Sequence, residues 1–319
     1  MPLTQLNFQP GIDTENTQTG AEGRWTDGDK IRFRKGLPQK IGGWTKFSES
    51  YYVGVVRALE QWFSLDGKRY EALGTDRKVY VFVSGTDQDI TPIRATANLV
   101  NAFTTTNTSS NVTITDLTHG ATLGDFVTIS STSTAVGGIP AATLDAEYEI
   151  LEITNVDAYV ISSNATATSN AGPTGNCTVT YQLNIGPSVQ SFGFGWGSGT
   201  WNTGTWNTPR TSSQIVLDAR LWSINNWGED LIITQKDGGT YEWDTSLGMT
   251  DNRASIIANA PTTSTLSLVS TETRHVVCMG TETTIGDAST QEKMFIRWSD
   301  QENYNQWTPN VTNSAGSQR

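Results

Sequence analysis

Tyr70-Glu71-Ala72-Leu73-Gly74-Thr75, a polar turn at Asp76-Arg77-Lys78, then Val79-Tyr80-Val81-Phe82: this stretch decides the fold. Both runs are short and rich in apolar, β-branched or aromatic side chains, and the break between them is polar. That is the pattern of two antiparallel strands joined by a tight connection. The phrase returns as Asp230-Leu231-Ile232-Ile233-Thr234, a turn at Lys236-Asp237-Gly238-Gly239, then Thr240-Tyr241-Glu242-Trp243. A third copy with a longer connection runs from His275-Val276-Val277-Cys278-Met279-Gly280-Thr281 to Lys293-Met294-Phe295-Ile296-Arg297-Trp298. A strand precedes the first two copies, at residues 56–63 and 220–225. Small sheets repeating in this rhythm bury their faces on one another, which predicts a β-propeller-like body. The repeats are loose, and a β-sandwich is the other architecture they fit.

Composition supports an all-β chain. The 319 residues are 36% hydrophobic and 17% charged, with 30 Gly, so many short strands joined by turns are expected. Eleven Trp, ten Phe and nine Tyr supply core anchors and argue against disorder. Helical periodicity is almost absent. The run Val55-Val56-Arg57-Ala58-Leu59-Glu60-Gln61-Trp62-Phe63 lacks a clean cap, and its β-branched and aromatic residues favour a strand.

Between the repeated phrases lies a block of different style, residues 96–185, rich in Thr, Ser, Ala and Asn and without Trp or Lys. Its alternating runs, such as Asn111-Val112-Thr113-Ile114-Thr115 and Cys177-Thr178-Val179-Thr180-Tyr181, predict a small β-sandwich or barrel inserted into a blade loop. The expected organisation is an arm over 1–24, a first body segment over 25–95, the insert over 96–185 and a second body segment over 186–319.

The charge balance is 21 − 32 = −11, which argues against a protein that grips nucleic acid by its phosphates. It does not exclude a surface along which DNA slides without sticking; the plainer reading is the solubility of a large surface. Two cysteines about a hundred residues apart, without metal-ligand spacing, fit assembly in a reducing cytoplasm. The first residues lack a basic region followed by an apolar run, so no signal peptide is expected. No stretch of about 18 apolar residues is present, so no membrane insertion is expected.

The longest motif is Trp25-Thr26-Asp27-Gly28-Asp29-Lys30-Ile31-Arg32-Phe33-Arg34-Lys35-Gly36-Leu37-Pro38-Gln39-Lys40-Ile41-Gly42-Gly43-Trp44. It reads as a hairpin, with a tight turn at Asp27-Gly28, Ile31 and Phe33 inward, a second turn at Gly36-Leu37-Pro38 and Trp44 capping the core. This wording resembles the N-terminal region of the tail nozzle (tail hub) proteins of short-tailed bacteriophages. The blade-like phrases and the segment Ile296-Arg297-Trp298-Ser299-Asp300-Gln301-Glu302-Asn303-Tyr304-Asn305-Gln306-Trp307-Thr308-Pro309 resemble that family too. The middle block resembles a β domain found in phage virion proteins.

The resemblance implies a propeller-based subunit in a six-fold ring. Its partners would be further copies, the portal adaptor and distal tail fibre, spike or needle proteins. The bore would conduct viral DNA in transient, non-specific passage. The location would be the virion tail, assembled in host cytoplasm, and no catalytic residue carries over. Members of the family run on into further blades beyond the counterpart of Ser317-Gln318-Arg319, which leaves closure of a propeller within these residues open.

Other chemistry is sparse. Gly199-Thr200-Trp201-Asn202-Thr203 repeats at once as Gly204-Thr205-Trp206-Asn207-Thr208, so Trp196, Trp201 and Trp206 stand at five-residue spacing among glycines. Such rings plug a core seam, anchor a neighbouring subunit or stack on a sugar. Arg32 and Arg34, with Lys30 and Lys35, are either the solvated face of an amphipathic hairpin or a contact for acidic groups of a neighbour. Arg32, Arg34, Trp196, Trp201 and Trp206 are therefore the candidate inter-subunit contacts.

Ser299 to Trp307 is similar to the Asp-box hairpin of sialidase propellers, without its turn Gly; such boxes are structural. His119 and His275 have no local triad partners. Asp27/Asp29 and Asp87/Asp89 sit where turns use carboxylates for backbone hydrogen bonds. No catalytic, cofactor or metal site and no enzyme activity are expected. The rival reading is a host-glycan-binding tail adhesin or depolymerase.

Overall fold

The computed structural model describes residues 9–43, 45–46, 48–192 and 216–319. The chain divides into two compact units, residues 1–50 and 51–319. Apart from one helical turn, α1 at Ala141–Leu144, and two short 3-10 turns, the regular elements among the described residues are antiparallel strands.

In the first unit, β1 (Ile31–Arg34) pairs with β2 (Leu37–Lys40). The turn joining them is Lys35-Gly36, with φ of 51° and 80°, the left-handed pair that a two-residue hairpin needs. The expected turns thus shift: Leu37 and Pro38 belong to β2, with Pro38 opposite Phe33. Pro is tolerated there because β2 is an edge strand that needs no further donor. Asp27 instead accepts the Gly28 N–H at 2.7 Å just ahead of the hairpin. Trp44 lies outside the described residues. The division at Ser50 groups this hairpin with the arm, whereas the sequence reading joined it to the body segment beginning at residue 25.

The second unit opens with a four-stranded meander, the first sheet: β3 (Val56–Phe63), β4 (Arg69–Thr75), β5 (Val79–Val83) and β6 (Thr86–Asp89). The chain then makes β7 (Ile93–Leu99), β8 (Phe103–Thr105), β9 (Asn111–Thr115), β10 (Phe126–Ser130), β11 (Glu147–Glu149), β12 (Glu152–Asn155), β13 (Ala158–Ser162), β14 (Ala171–Thr174) and β15 (Cys177–Gln182). These form a four-stranded sheet, β11-β10-β15-β7, and a five-stranded sheet, β12-β13-β9-β8-β14. Val127, Ile129 and Val179 of one face Val112, Ile114 and Ile161 of the other in a single apolar cluster. The fully buried Ile150 sits where the chain leaves β11 for β12 and so changes sheets.

Entry and exit of this segment are adjacent, because β7 and β15 pair from Cys177 opposite Leu99 to Gln182 opposite Ile93. It departs after the fourth strand of the first sheet and lies between successive sheets, not within a loop of one, as the sequence reading had it.

A short pair follows, β16 (Ser191–Phe192) with β17 (Val216–Leu217). The second sheet is the meander β18 (Trp222–Trp227), β19 (Asp230–Gln235), β20 (Thr240–Trp243), β21 (Ser255–Ile256). The third is β22 (Leu266–Val269), β23 (Val276–Met279), β24 (Ile296–Trp298), β25 (Gly316–Gln318). All three repeated phrases are the middle hairpins of four-stranded meanders.

The second sheet is covered on both faces, which explains the unbroken apolar run of β19. Side chains alternate along a strand. Leu231 and Ile233 join Trp62, Ala72, Val79 and Val81 of the first sheet, while Ile232 joins Val276 and Cys278 of the third. Aromatic rings fill the seams. Trp62 stacks on Tyr70 at 5.2 Å between centroids, and both meet Trp243 edge-on. Indole N–H groups cross the first seam in both directions: Trp62 donates to the Glu229 carbonyl at 2.8 Å and Trp222 to the Thr75 carbonyl at 2.6 Å. A buried Trp needs such a partner, so these bonds orient the stack as well as satisfying the donors. Gly74 makes the approach possible, since a Cβ there would lie 2.7 Å from Cδ1 of Trp222. In the second seam Trp307 is fully buried and donates to the Tyr304 carbonyl at 2.6 Å, so the loop resembling an Asp box packs between sheets. No apolar cluster joins the first and third sheets among the described residues.

Candidate interaction surfaces

Arg32 and Arg34 project from one face of β1, exposed, while Ile31 and Phe33 are half-buried on the other; Trp25 packs 6.4 Å from Phe33. Alternation along the strand puts the two guanidiniums on the same side, about 7 Å apart at the backbone. Arg32 donates through Nε to Gln39 Oε1 at 3.1 Å. Neither arginine has a carboxylate partner among the described residues. The hairpin therefore presents an unneutralised basic face. Trp196, Trp201 and Trp206 lie outside the described residues.

A second charged site was not anticipated from the sequence. Lys78, with 4% of its side chain exposed, places Nζ 2.8 Å from Asp89 Oδ2 and also pairs with Glu147. Arg253 reaches the same two carboxylates, at 2.8 Å from Asp89 Oδ1 and 3.6 Å from Glu147 Oε2. Gln182 donates to Glu147 at 2.5 Å, and the ring of Phe126 lies 4.2 Å from the Lys78 ammonium. Two cations and two carboxylates thus cancel around a buried ammonium, with Glu147 and Arg253 partly open to solvent. Lys78 lies in the β4–β5 turn and Asp89 ends β6 of the first sheet, Glu147, Gln182 and Phe126 belong to the 93–182 segment, and Arg253 to the loop after β20. The cluster ties three parts of the second unit together. Burial raises the Asp89 carboxyl, but Arg253 and Lys78 outweigh it and hold the group below its ordinary range.

Asp89 does use Oδ1 to accept the Thr91 N–H at 2.9 Å, as a turn carboxylate does, but its main role is ionic. A hidden ion pair of this kind leaves no local pattern, because its members stand at 78, 89, 147 and 253.

Both histidine rings bond to backbone groups. The His119 ring is buried against Tyr159; Nδ1 accepts the Ala121 N–H at 3.0 Å, which leaves Nε2 to donate to the Asn155 carbonyl at 3.2 Å. Close by, Tyr181 donates to Asp116 at 2.6 Å inside the 93–182 segment. Burial, with Tyr159 and Asp116 adding to it, raises the Tyr181 hydroxyl far above its ordinary range, so it stays protonated. His275 bonds the Ser299 carbonyl at 2.8 Å through Nδ1. Asp300 accepts from the Ser314 N–H and hydroxyl, both at 2.8 Å, and so closes its own loop.

Among the described residues no group of three or more His, Cys, Asp or Glu side chains is arranged to hold a metal, and no helix is long and apolar enough to cross a membrane.

No protein-family model matches the chain, and no curated protein matches it. Among solved structures it is similar to phage phi92 endosialidase, at 12% identity and a TM-score of 0.25, over 85% of this chain and 39% of that one. The chain therefore spans about two-fifths of that structure's length, and a superposition at this level carries no inference about activity or partners.

Proposed function

We propose that this chain is a structural part of a bacteriophage tail, a nozzle subunit whose meander sheets act as blades of a propeller-like body around a DNA conduit. The observation that carries the reading is the stacking of the three sheets. Each is a four-stranded up-and-down meander, and their first strands converge: β18 lies against β3 and β4 on one side and β22 on the other. Sheets that fan outward from neighbouring first strands are how propeller blades share their faces.

The motif at residues 25–44 supports the choice of family. The charge of −11 suits a wall past which phosphates slide, since carboxylates repel them where lysines would bind them. The inserted 93–182 segment, held by the Lys78 cluster, and the basic β1–β2 face are the features proposed to meet other tail proteins, among them the portal adaptor and distal fibres, spikes or needles.

The test is an averaged electron micrograph of virion tails labelled for this protein. Label in a ring below the portal is expected. Label confined to distal fibres, together with binding to or cleavage of host polysaccharide, would replace the conduit by a glycan-directed adhesin.

A further inference from the structure

The two sheets of the 93–182 segment have four edge strands, and three of them are blunted. β11 is three residues long, β12 shifts register after Ile153, and β14 carries Pro173 in an irregular pairing. Short strands, bulges and proline are the devices that keep foreign strands off a sheet edge. The fourth edge, β7, lacks them over most of its length. Its one irregularity is a bulge at Arg94, whose guanidinium is tied to the His119 carbonyl at 3.0 Å. From Ala95 to Leu99 the register is regular, without a charge or a proline.

The ladder shows which backbone groups of β7 face outward. In an antiparallel sheet, alternate residues bond to opposite neighbours. Ile129 donates to the Ala146 carbonyl at 2.9 Å, on the β11 side, so Thr128 and Ser130 bond to Thr180 and Thr178 of β15. Cys177, Val179 and Tyr181 then bond to Leu99, Ala97 and Ala95 of β7. Thr96 and Asn98 are left with N–H and C=O pointing away from the sheet. No other backbone group bonds to theirs among the described residues, and both residues are exposed. On the inner face of the same strand, Ala97 and Leu99 pack against the apolar cluster but are only half-buried. The rim of that core is open beside β7.

We infer that the β7 edge is a strand-addition site, which takes an extended, basic segment of another protein as a fifth strand of its sheet. Outward N–H and C=O groups on one regular edge specify a polypeptide in β conformation. Alternation specifies its side chains: apolar ones beside Ala95, Ala97 and Leu99 to close the rim, polar ones beside Thr96 and Asn98. Charge specifies the rest. Residues 93–182 hold seven acidic residues and one basic, Arg94. Glu147 and Glu149 are answered by Lys78, Arg253 and Arg77 of the body. Asp116, Asp125, Asp145, Glu152 and Asp157 form no ion pair among the described residues. Two such segments repel each other, whereas a strand with lysine or arginine at its polar positions is attracted. The inference goes beyond the tail reading by naming the strand and the chemistry of its partner, and its test is independent of where the label falls in the tail.

The experiment follows amide hydrogen exchange of the full chain by NMR. In the free protein the Thr96 and Asn98 amides are expected to exchange about tenfold or more faster than those of Ala97 and Leu99. The probe is the synthetic peptide Lys-Val-Lys-Val-Lys-Val, with Glu-Val-Glu-Val-Glu-Val and a lysine peptide N-methylated at its lysines as controls. The lysine peptide is expected to slow exchange at Thr96 and Asn98, and the two controls are not. Thr96→Pro removes an outward N–H and keeps the Ala95 and Ala97 bonds to β15, as proline does on an edge strand. It is expected to fold, by circular dichroism, and to bind the lysine peptide about tenfold more weakly. Slow exchange at Thr96 and Asn98 in the free chain, no binding of the lysine peptide, or equal binding of all three peptides overturns the inference. So does self-association of the wild type that Thr96→Pro abolishes, since the occupant would then be a second copy. If Thr96→Pro does not fold, the N-methylated peptide decides: binding as tight as that of the parent peptide overturns the inference.

Discussion

Lys78 and Asp89 meet at 2.8 Å with the ammonium almost wholly buried, eleven residues apart in sequence and side by side at the open end of the β5–β6 hairpin. Removing one member of such a group strands the other's charge, which costs about 3 kcal/mol or more when the site is dry. Asp89→Asn is expected to lower unfolding stability by about that amount in urea. Glu147→Gln is expected to cost less, because the Glu147 side chain is 34% exposed. Equal, negligible losses in both would mean the cluster is fully solvated.

The same carboxylate sets a pH dependence. Its folded pKa is depressed below the ordinary 3.8, so its stabilising contribution is complete above that value and is lost as pH falls through the folded pKa. The stability gap between wild type and Asp89→Asn is therefore expected to be largest at neutral pH and to narrow below about pH 4. Denaturant titrations at neutral and acid pH measure it; a gap that widens in acid would reverse the assignment.

Gly74 is needed for the approach of Trp222 and not for its own backbone, which has negative φ. Gly74→Val is expected to destabilise by about 2 kcal/mol or more through overpacking. Gly67 supplies the contrast: it has φ of +81° with nothing within 4 Å of a Cβ, so Gly67→Ala is expected to cost only about 1 kcal/mol. Thermal unfolding of the pair distinguishes packing from backbone strain.

Cys177 and Cys278 are both buried and free, in separate apolar clusters, and burial raises each thiol to about 11. Neither is expected to react with a thiol reagent in the native protein at neutral pH, and both are expected to react after unfolding. Rapid native labelling of either would show that its cluster opens.

Arg32 and Arg34 lie on an exposed strand face, so Arg32→Glu with Arg34→Glu is expected to leave folding intact while weakening assembly with an acidic neighbour. Ring or tail assembly is scored beside circular dichroism. Normal assembly with an altered rate of DNA ejection would put those arginines on the channel.

Strands were legible wherever a face is buried by alternation or both faces are buried together. Val79–Val83 and Asp230–Gln235 belong to the second kind, and their continuous apolar runs reflect neighbours on both sides. Asn111–Thr115 and Cys177–Gln182 also follow from pattern alone. The hairpin turn at residues 35–36 did not, because its first residue is Lys35 at φ 51°, and lysine carries no turn signal. The strand Leu266–Val269 was missed because, unlike the strands that open the other two meanders, it carries no aromatic residue of its own.

By itself, the sequence determined the all-β class, the three repeated hairpins and the separate style of the middle block, because strand periodicity and turn chemistry act over a few neighbouring residues. Only the tertiary structure decided which faces meet. Whether Leu231 or Ile232 looks toward the first sheet, and whether Asp89 closes a turn or a four-charge cluster, depend on residues far apart in the chain. Packing and desolvation act through space, and no local pattern encodes them.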